Sequence, residues 1–405
     1  MSNGFDPSKF DPHDPGFLRD PYPTYKEFRE HEPIYRVPRY EADWLFRYAD
    51  CLEVLSNKDV WLKNPEGAPQ TPVYGPYGLL VSNFPAGMFN SDPNKHELIR
   101  GAVEPDFVAA ILNAEGIAET RAPSLLAEAA KRGWFELIDD YALPLPAQVL
   151  FTLLGIPNGA AHPGVWEVLI GWQALIAAAH DITQSPQVRM TGATSSMAVI
   201  SMFEAMLLEK PSKAGLFGKI VKAFKKAGLS DQDVQIWGFD FVVAGYLSTT
   251  FLIGNGTRNL LLHPDQLRLL REKPKERMLG AIEEMMRYDG PVQIVDCMAA
   301  QDTEVGGHKF NKYDKVIAVV GSANRDEDKF KEPDRFLIGR GAEAEQHLGF
   351  GWGIHHCIGQ PLVRLVAPVA FRMLLEKFPN LALAGQAQWK TDPYLRAVTN
   401  LPLQF

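Results

Sequence analysis

The chain has 405 residues, 46% of them hydrophobic, with a formal net charge of -8. That is enough apolar material for one large enzyme core, and an acidic balance without a basic tract argues against a nucleic-acid partner. The three cysteines, Cys51, Cys297 and Cys357, are too few and odd in number for a disulfide framework and fit a reducing cytoplasm.

The first fifteen residues are polar and proline-rich, with no basic flank leading into an apolar run, so neither a signal peptide nor a membrane anchor is expected. Residues 21–32 read as a short amphipathic helix, 34–36 and 44–47 as strands, and 50–56 as a helix capped by Asp50. Residues 64–94 are rich in proline, glycine and aromatics and lack a period. Such a segment reads as a binding loop or lid, with Phe84 and Met88 on its apolar side, or as a loop tucked on the core.

From residue 95 to about 287 helical patterns dominate. His96 and Arg100, at i and i+4, share a helix face and could reach one anion; ordinary solvated charges are the competing reading. The apolar run 236–253 invites comparison with a membrane span, but Asp240, Ser248, Thr249 and Thr250 interrupt it. A long buried helix is expected instead. Glu284 and Arg287, at i and i+3, can pair. Short strands follow at 292–295, 303–305 and 316–320. The fold class read from this order is mainly α with small β-sheets, one domain over 1–405, and no βαβ alternation.

Residues 347–364 read H-L-G-F-G-W-G-I-H-H-C-I-G-Q-P-L-V-R. Gly349, Gly351 and Gly353 allow a loop to lie flat against a large ligand, and apolar residues at helical spacing place a buried helix near Cys357. A thiolate closing such a loop is a good soft ligand for iron. A buried apolar cysteine, a zinc site with His347, His355 and His356, a nucleophilic Cys–His pair and a phosphate loop are the competing readings. No C-x-x-C partner, orienting third group or G-x-G-x-x-G supports the last three.

Phe350, Gly351, Gly353, His355, Cys357 and Gly359 match F-G-x-G-x-H-x-C-x-G, and the stretch resembles the haem-binding loop of cytochromes P450. The resemblance implies the cytochrome P450 fold and haem b, with Cys357 as iron ligand and Phe350, Gly351, His355 and Gly359 around it. It implies that His96, Arg100 and His355 hold the haem propionates. It also implies that Glu284, Arg287 and Arg335 form a buried network behind the loop. Ala244 and Gly245 fall where the family's long helix opens for dioxygen. Leu247 stands in place of the usual acid and Ser248 in place of the first threonine. Ser248 or Thr249 could therefore face the pocket, or both could bond backwards to helix carbonyls. Cys297 stands where an arginine usually binds a propionate, so another cation serves there or one propionate is more exposed to water.

The activity implied is hydroxylation or oxidative dealkylation of a small-to-medium apolar substrate, using dioxygen and electrons from a ferredoxin and its reductase. Phe84, Met88, Val243, Leu247, Ile294, Val295 and Val398 would line the pocket. Leu247 keeps open a second reading: peroxygenation, nitric-oxide reduction or oxidative rearrangement. A non-catalytic haem sensor is a third.

Overall fold

Five short strands make the main sheet, in the spatial order Ile34–Val37, Ala42–Leu45, Lys315–Ala318, Val295–Ala299 and Trp61–Leu62. Ala42–Leu45 runs antiparallel to the first strand and parallel to Lys315–Ala318, with Trp44 opposite both Tyr35 and Ile317. All four of its residues are buried, as expected of a central strand covered on both faces. The computed structural model describes residues 5–68, 86–158, 164–180, 185–209, 215–391 and 393–405. They form two compact units interleaved along the chain: 1–68, 126–142 and 250–405 in one, 69–125 and 143–249 in the other.

In the first unit an aromatic cluster packs against the sheet. Phe28, from helix Tyr22–His31, stacks on Phe46 with ring centroids 4.4 Å apart. Helix Tyr48–Ser56 begins two residues ahead of the expected start, and Asp50 lies inside its first turn. Asp326 acts in the capping role: its Oδ2 accepts the Tyr48 N–H at 2.7 Å. The strand expected at 292–295 starts only at Val295. The one expected at 316–320 is Lys315–Ala318, and the chain then turns into the short helix Val320–Ala323.

The second unit is helical. Helix Asp231–Gly245 opens with a capping box, Ser230 Oγ accepting the Asp233 N–H while Asp233 Oδ2 accepts the Ser230 N–H. It does not continue as one rod through 236–253. Tyr246, at φ -130° and ψ -28°, leaves the helix, and a new one runs Leu247–Leu262. Tyr246 is fully buried, edge-on to Phe151 at 5.5 Å. Gly245 allows the close approach of helix Pro144–Leu154, because a Cβ there would lie 2.6 Å from Leu150 Cδ2.

Candidate functional site: the cysteine loop and its supports

The cysteine loop lies in the first unit. Gly351 and Gly353 both take φ of +67°, a left-handed conformation that favours glycine. At Gly353 space matters too: a Cβ would sit 2.6 Å from the Leu55 carbonyl. The loop is closed by its own backbone, the Cys357 N–H donating to the Phe350 carbonyl at 2.9 Å. Cys357 is not in the helix. It sits in the turn before it, its carbonyl accepting the Gln360 N–H at 3.2 Å, and helix Gln360–Lys377 starts with Gly359 as N-cap.

The three cysteines occupy different environments. Cys51 is fully buried and its thiol, pushed well up by burial, meets the Leu45 carbonyl at 3.1 Å. Cys297 is 9% exposed, and burial pushes its thiol up to about 11. Cys357 is half-buried, with Gly359 so close that a Cβ there would be 3.6 Å from the sulfur. Among the described residues no three His, Cys, Asp or Glu side chains gather as a metal cluster. One accessible sulfur in a glycine-shaped loop, away from any second donor cluster, fits a single thiolate ligand to haem iron.

Two adjacent glutamates on helix Pro274–Asp289 tie the loop down. Glu284 pairs with Arg287 through Oε2–Nε at 2.7 Å and Oε1–Nη2 at 2.9 Å, both side chains fully buried. The third member of this network is Arg340, not Arg335. Arg340 Nε donates to Glu284 Oε1 at 3.0 Å from a side chain 3% exposed. The Arg335 side chain is 63% exposed and pairs with Glu332, contributing to the network only its carbonyl, which accepts from Arg287 at 3.2 Å. Arg287 also donates to the Asn324 carbonyl at 2.8 Å, and Asn324 Oδ1 accepts the Leu348 N–H at 2.7 Å. Arg287 thus reaches the loop through one asparagine.

The second tie was not legible in the sequence. Glu283 accepts from Arg364 Nε at 2.7 Å and faces His347 Nε2 at 3.1 Å, so one carboxylate holds both ends of the stretch 347–364. Burial raises this carboxyl, but His347 and Arg364 outweigh burial and hold it at about 2. The Glu283–Glu284 doublet was the available signal: on a helix, neighbours aim about 100° apart and can serve two networks.

Cys297 lies in strand Val295–Ala299, whose partner strand pairs Trp61 with Ala299 and Leu62 with Met298. Continuing that register puts Lys63 opposite Cys297. The Lys63 side chain is only 12% exposed and lies 3.7 Å from Asp296 Oδ1. Burial alone would lower its ammonium; Asp296 outweighs it and holds the group above its ordinary value.

Of the pocket residues expected in this unit, Ile294 and Val398 are core residues. Ile294 is 3% exposed, packed with Trp44, Phe46 and Val319. Val398 is fully buried, its N–H donating to Asn255 Oδ1 at 3.0 Å. Val295 is half-buried. Phe84 lies outside the described residues.

In the second unit, His96 and Arg100 lie on helix Pro93–Ile111. His96 is 3% exposed, and burial, with Arg100 beside it, lowers its pKa. Arg100 Nε is 3.4 Å from Glu104. Met88 is buried; Val243 and Leu247 are half-buried. The two candidate hydroxyls differ. Ser248 is half-buried and bonds back to the exposed Ala244 carbonyl at 3.3 Å, across the helix break, whereas Thr249 is 3% exposed.

A mainly helical fold with a glycine-shaped cysteine loop braced by a buried Glu–Arg network defines a class of haem–thiolate oxidoreductases. The cytochrome P450 family model matches residues 278–404. Polyketide biosynthesis cytochrome P450 PksS of Bacillus subtilis (strain 168) is 31% identical, over 97% of this chain and 98% of that protein. The 6-deoxyerythronolide B hydroxylase of Saccharopolyspora erythraea is 30% identical, over 96% of each. A crystal structure of P450BioI in complex with hexadec-9Z-enoic acid ligated acyl carrier protein superposes with a TM-score of 0.85 at 27% identity, covering 97% of this chain and 100% of that one. The chain belongs to the cytochrome P450 family, oxidoreductases that bind haem b.

Proposed function

We propose that the protein is a haem–thiolate monooxygenase in which residues 1–405 work as one enzyme. It would hydroxylate or oxidatively dealkylate a small-to-medium organic substrate, drawing electrons from a ferredoxin and its reductase in the cytoplasm. The observation that carries this reading is the half-buried Cys357, presented by a loop braced through Glu283 and through Glu284, Arg287 and Arg340. Haem b, when bound, supplies the oxidising chemistry on dioxygen. Cys357 would ligate it, its thiolate supplying electron density to the iron. His96, Arg100 and His355 would hold its carboxylates, as the family resemblance implies. Lys63 would supply the charge that Cys297 cannot.

Ser248 is the hydroxyl of the relay. It is the more accessible of the two candidates, and to serve the relay its Oγ would turn from the Ala244 carbonyl, which it meets at 3.3 Å, toward the pocket. A neutral hydroxyl positions a water rather than acting as a strong acid. Losing one hydrogen bond of about 1 kcal/mol shifts a partition by roughly fivefold. Ser248→Ala should therefore raise peroxide released per NAD(P)H consumed by about that factor, with Thr249→Ala changing it less. The assay compares product, peroxide and NAD(P)H with ferredoxin and reductase, beside turnover with peroxide alone and with nitric oxide. Oxygenated product only with peroxide, or turnover only of nitric oxide, would overturn the monooxygenase reading in favour of the one that Leu247 keeps open.

Lys63→Met should speed haem loss. A charge-assisted bond to a carboxylate contributes about 1.5–3 kcal/mol, or roughly ten- to a hundredfold in dissociation. The measurement is transfer of haem to a scavenging apoprotein. Cys297→Arg introduced beside Lys63→Met should slow the loss again; an unchanged rate in Lys63→Met refutes the assignment.

A further inference from the structure

Two helices of the second unit, Pro93–Ile111 and Leu216–Lys226, pack side by side. They run antiparallel. Lys219, early in the later helix, lies 4.0 Å from Asp106, late in the earlier one. At the other end Lys95, early in the earlier helix, pairs at 2.9 Å with Asp233, just past the end of the later one. Each helix buries one face, through Ile99, Val103 and Phe107 on the earlier and Phe217, Ile220 and Phe224 on the later.

The outward faces differ in character. On Pro93–Ile111, Leu98 is 44% exposed and Leu112, at the C-cap, 76%. With about 100° per residue, these two and the exposed Pro105 and Ala109 fall within about 60° of one another, on the flank next to Asp106. The exposed Glu97 and Glu104 fall on the opposite flank. On Leu216–Lys226, the exposed Lys222 and Lys226 share the flank that Lys219 turns to Asp106, and Lys225 lies further out. Among the described residues, Lys222, Lys225 and Lys226 form no ion pair. The helix holds four lysines and no acid in eleven residues, within a chain of net charge -8. An apolar stripe and a cationic strip therefore run side by side.

The stripe gains by being covered, and the lysines beside it set the sign of what covers it. An anionic membrane fits poorly: the cationic strip is one helix wide, Glu97 and Glu104 lie beyond the stripe, and the chain as a whole is acidic. A second copy fits poorly too, because a two-fold contact would set the same lysines against each other. We propose that this two-helix face docks an acidic protein, which lays a helix along it with apolar side chains on the Leu98–Leu112 stripe and carboxylates on Lys222 and Lys226. The lysines steer the encounter and fix the register, and the stripe supplies the apolar area that is buried.

The test uses the haem-loaded full chain and fluorescein-labelled peptides of about sixteen residues, long enough to hold a helix. One carries leucine at i, i+3, i+4 and i+7 spacing and glutamate elsewhere. A second has the same composition with the leucines dispersed, and a third has lysine in place of glutamate. By fluorescence anisotropy the first should bind with a dissociation constant on the order of tens of micromolar at low salt, and the other two about tenfold more weakly or worse. Lys222→Glu with Lys226→Glu should weaken the first peptide about tenfold, and Leu112→Ser about threefold. All of these side chains are exposed, so the thermal midpoint and the reduced, carbon monoxide-bound spectrum should not move. No binding of the first peptide, equal binding of its dispersed counterpart, or affinity that survives all three substitutions overturns the proposal. Vesicles of phosphatidylcholine and phosphatidylglycerol that bind more tightly than the peptide would assign the face to lipid instead. A dimer seen by sedimentation that is lost in Leu112→Ser would assign it to a second copy. Either result overturns the acidic-protein assignment.

Discussion

Arg340→Ala should yield little soluble, haem-loaded protein, while Arg335→Ala behaves as wild type. Both arginines lie in one irregular segment sixteen residues or fewer after Asn324. Only Arg340 places its guanidinium on Glu284, which is fully buried and also accepts two bonds from Arg287 and the Leu337 N–H at 2.8 Å. Removing one member of a buried charge network leaves the others uncompensated and costs about 3–5 kcal/mol. Arg340 also donates to the carbonyls of Glu332 and Arg335 at 2.6 and 3.0 Å, so its loss frees the strap that leads to the cysteine loop. Arg335 pairs with Glu332 in solvent, where water and salt screen the interaction. Haem content and thermal midpoint of the two purified variants decide the matter. Equal behaviour of the two would mean that the Glu284 network does not brace the loop.

Cys357→His should convert the absorption of the reduced, carbon monoxide-bound protein from the strongly red-shifted band that gives the family its name to the unshifted band of a histidine-ligated haem. Oxygenated product should be lost with it. The reason is electronic: a thiolate donates far more density to iron than an imidazole does. The loop itself should survive, because its closure uses the Cys357 N–H and the Phe350 carbonyl rather than the side chain. Haem content therefore separates loss of the ligand from loss of the fold. A red-shifted band that persists in Cys357→His, or one that is missing from freshly prepared wild type, would remove Cys357 from the iron. Cys51 and Cys297 serve as controls, since both thiols are buried and pushed up, and their replacement by serine should leave the band in place.

The sequence by itself determined what depends on short-range chemistry. The loop motif around Cys357 is contiguous, and the left-handed angles at Gly351 and Gly353 are a property of those residues alone. The Glu284–Arg287 pair follows from helix periodicity. Departures from the family pattern at Leu247, Ser248 and Cys297 were visible for the same reason. Tertiary structure decided everything that depends on how distant segments meet. Arg340 replaced Arg335 because the path of an irregular segment has no period to read. Glu283 was found only once helix Pro274–Asp289 was seen against both ends of the loop. Pairing of strand Trp61–Leu62 with Val295–Ala299 brought Lys63 beside Asp296 and Cys297. Packing sent Ile294 and Val398 into the core, because an apolar residue in the sequence does not say whether the space it faces is filled or a cavity. Packing separated Ser248 from Thr249 within one helix, since neighbours differ by about 100° and only the surroundings tell which direction is open.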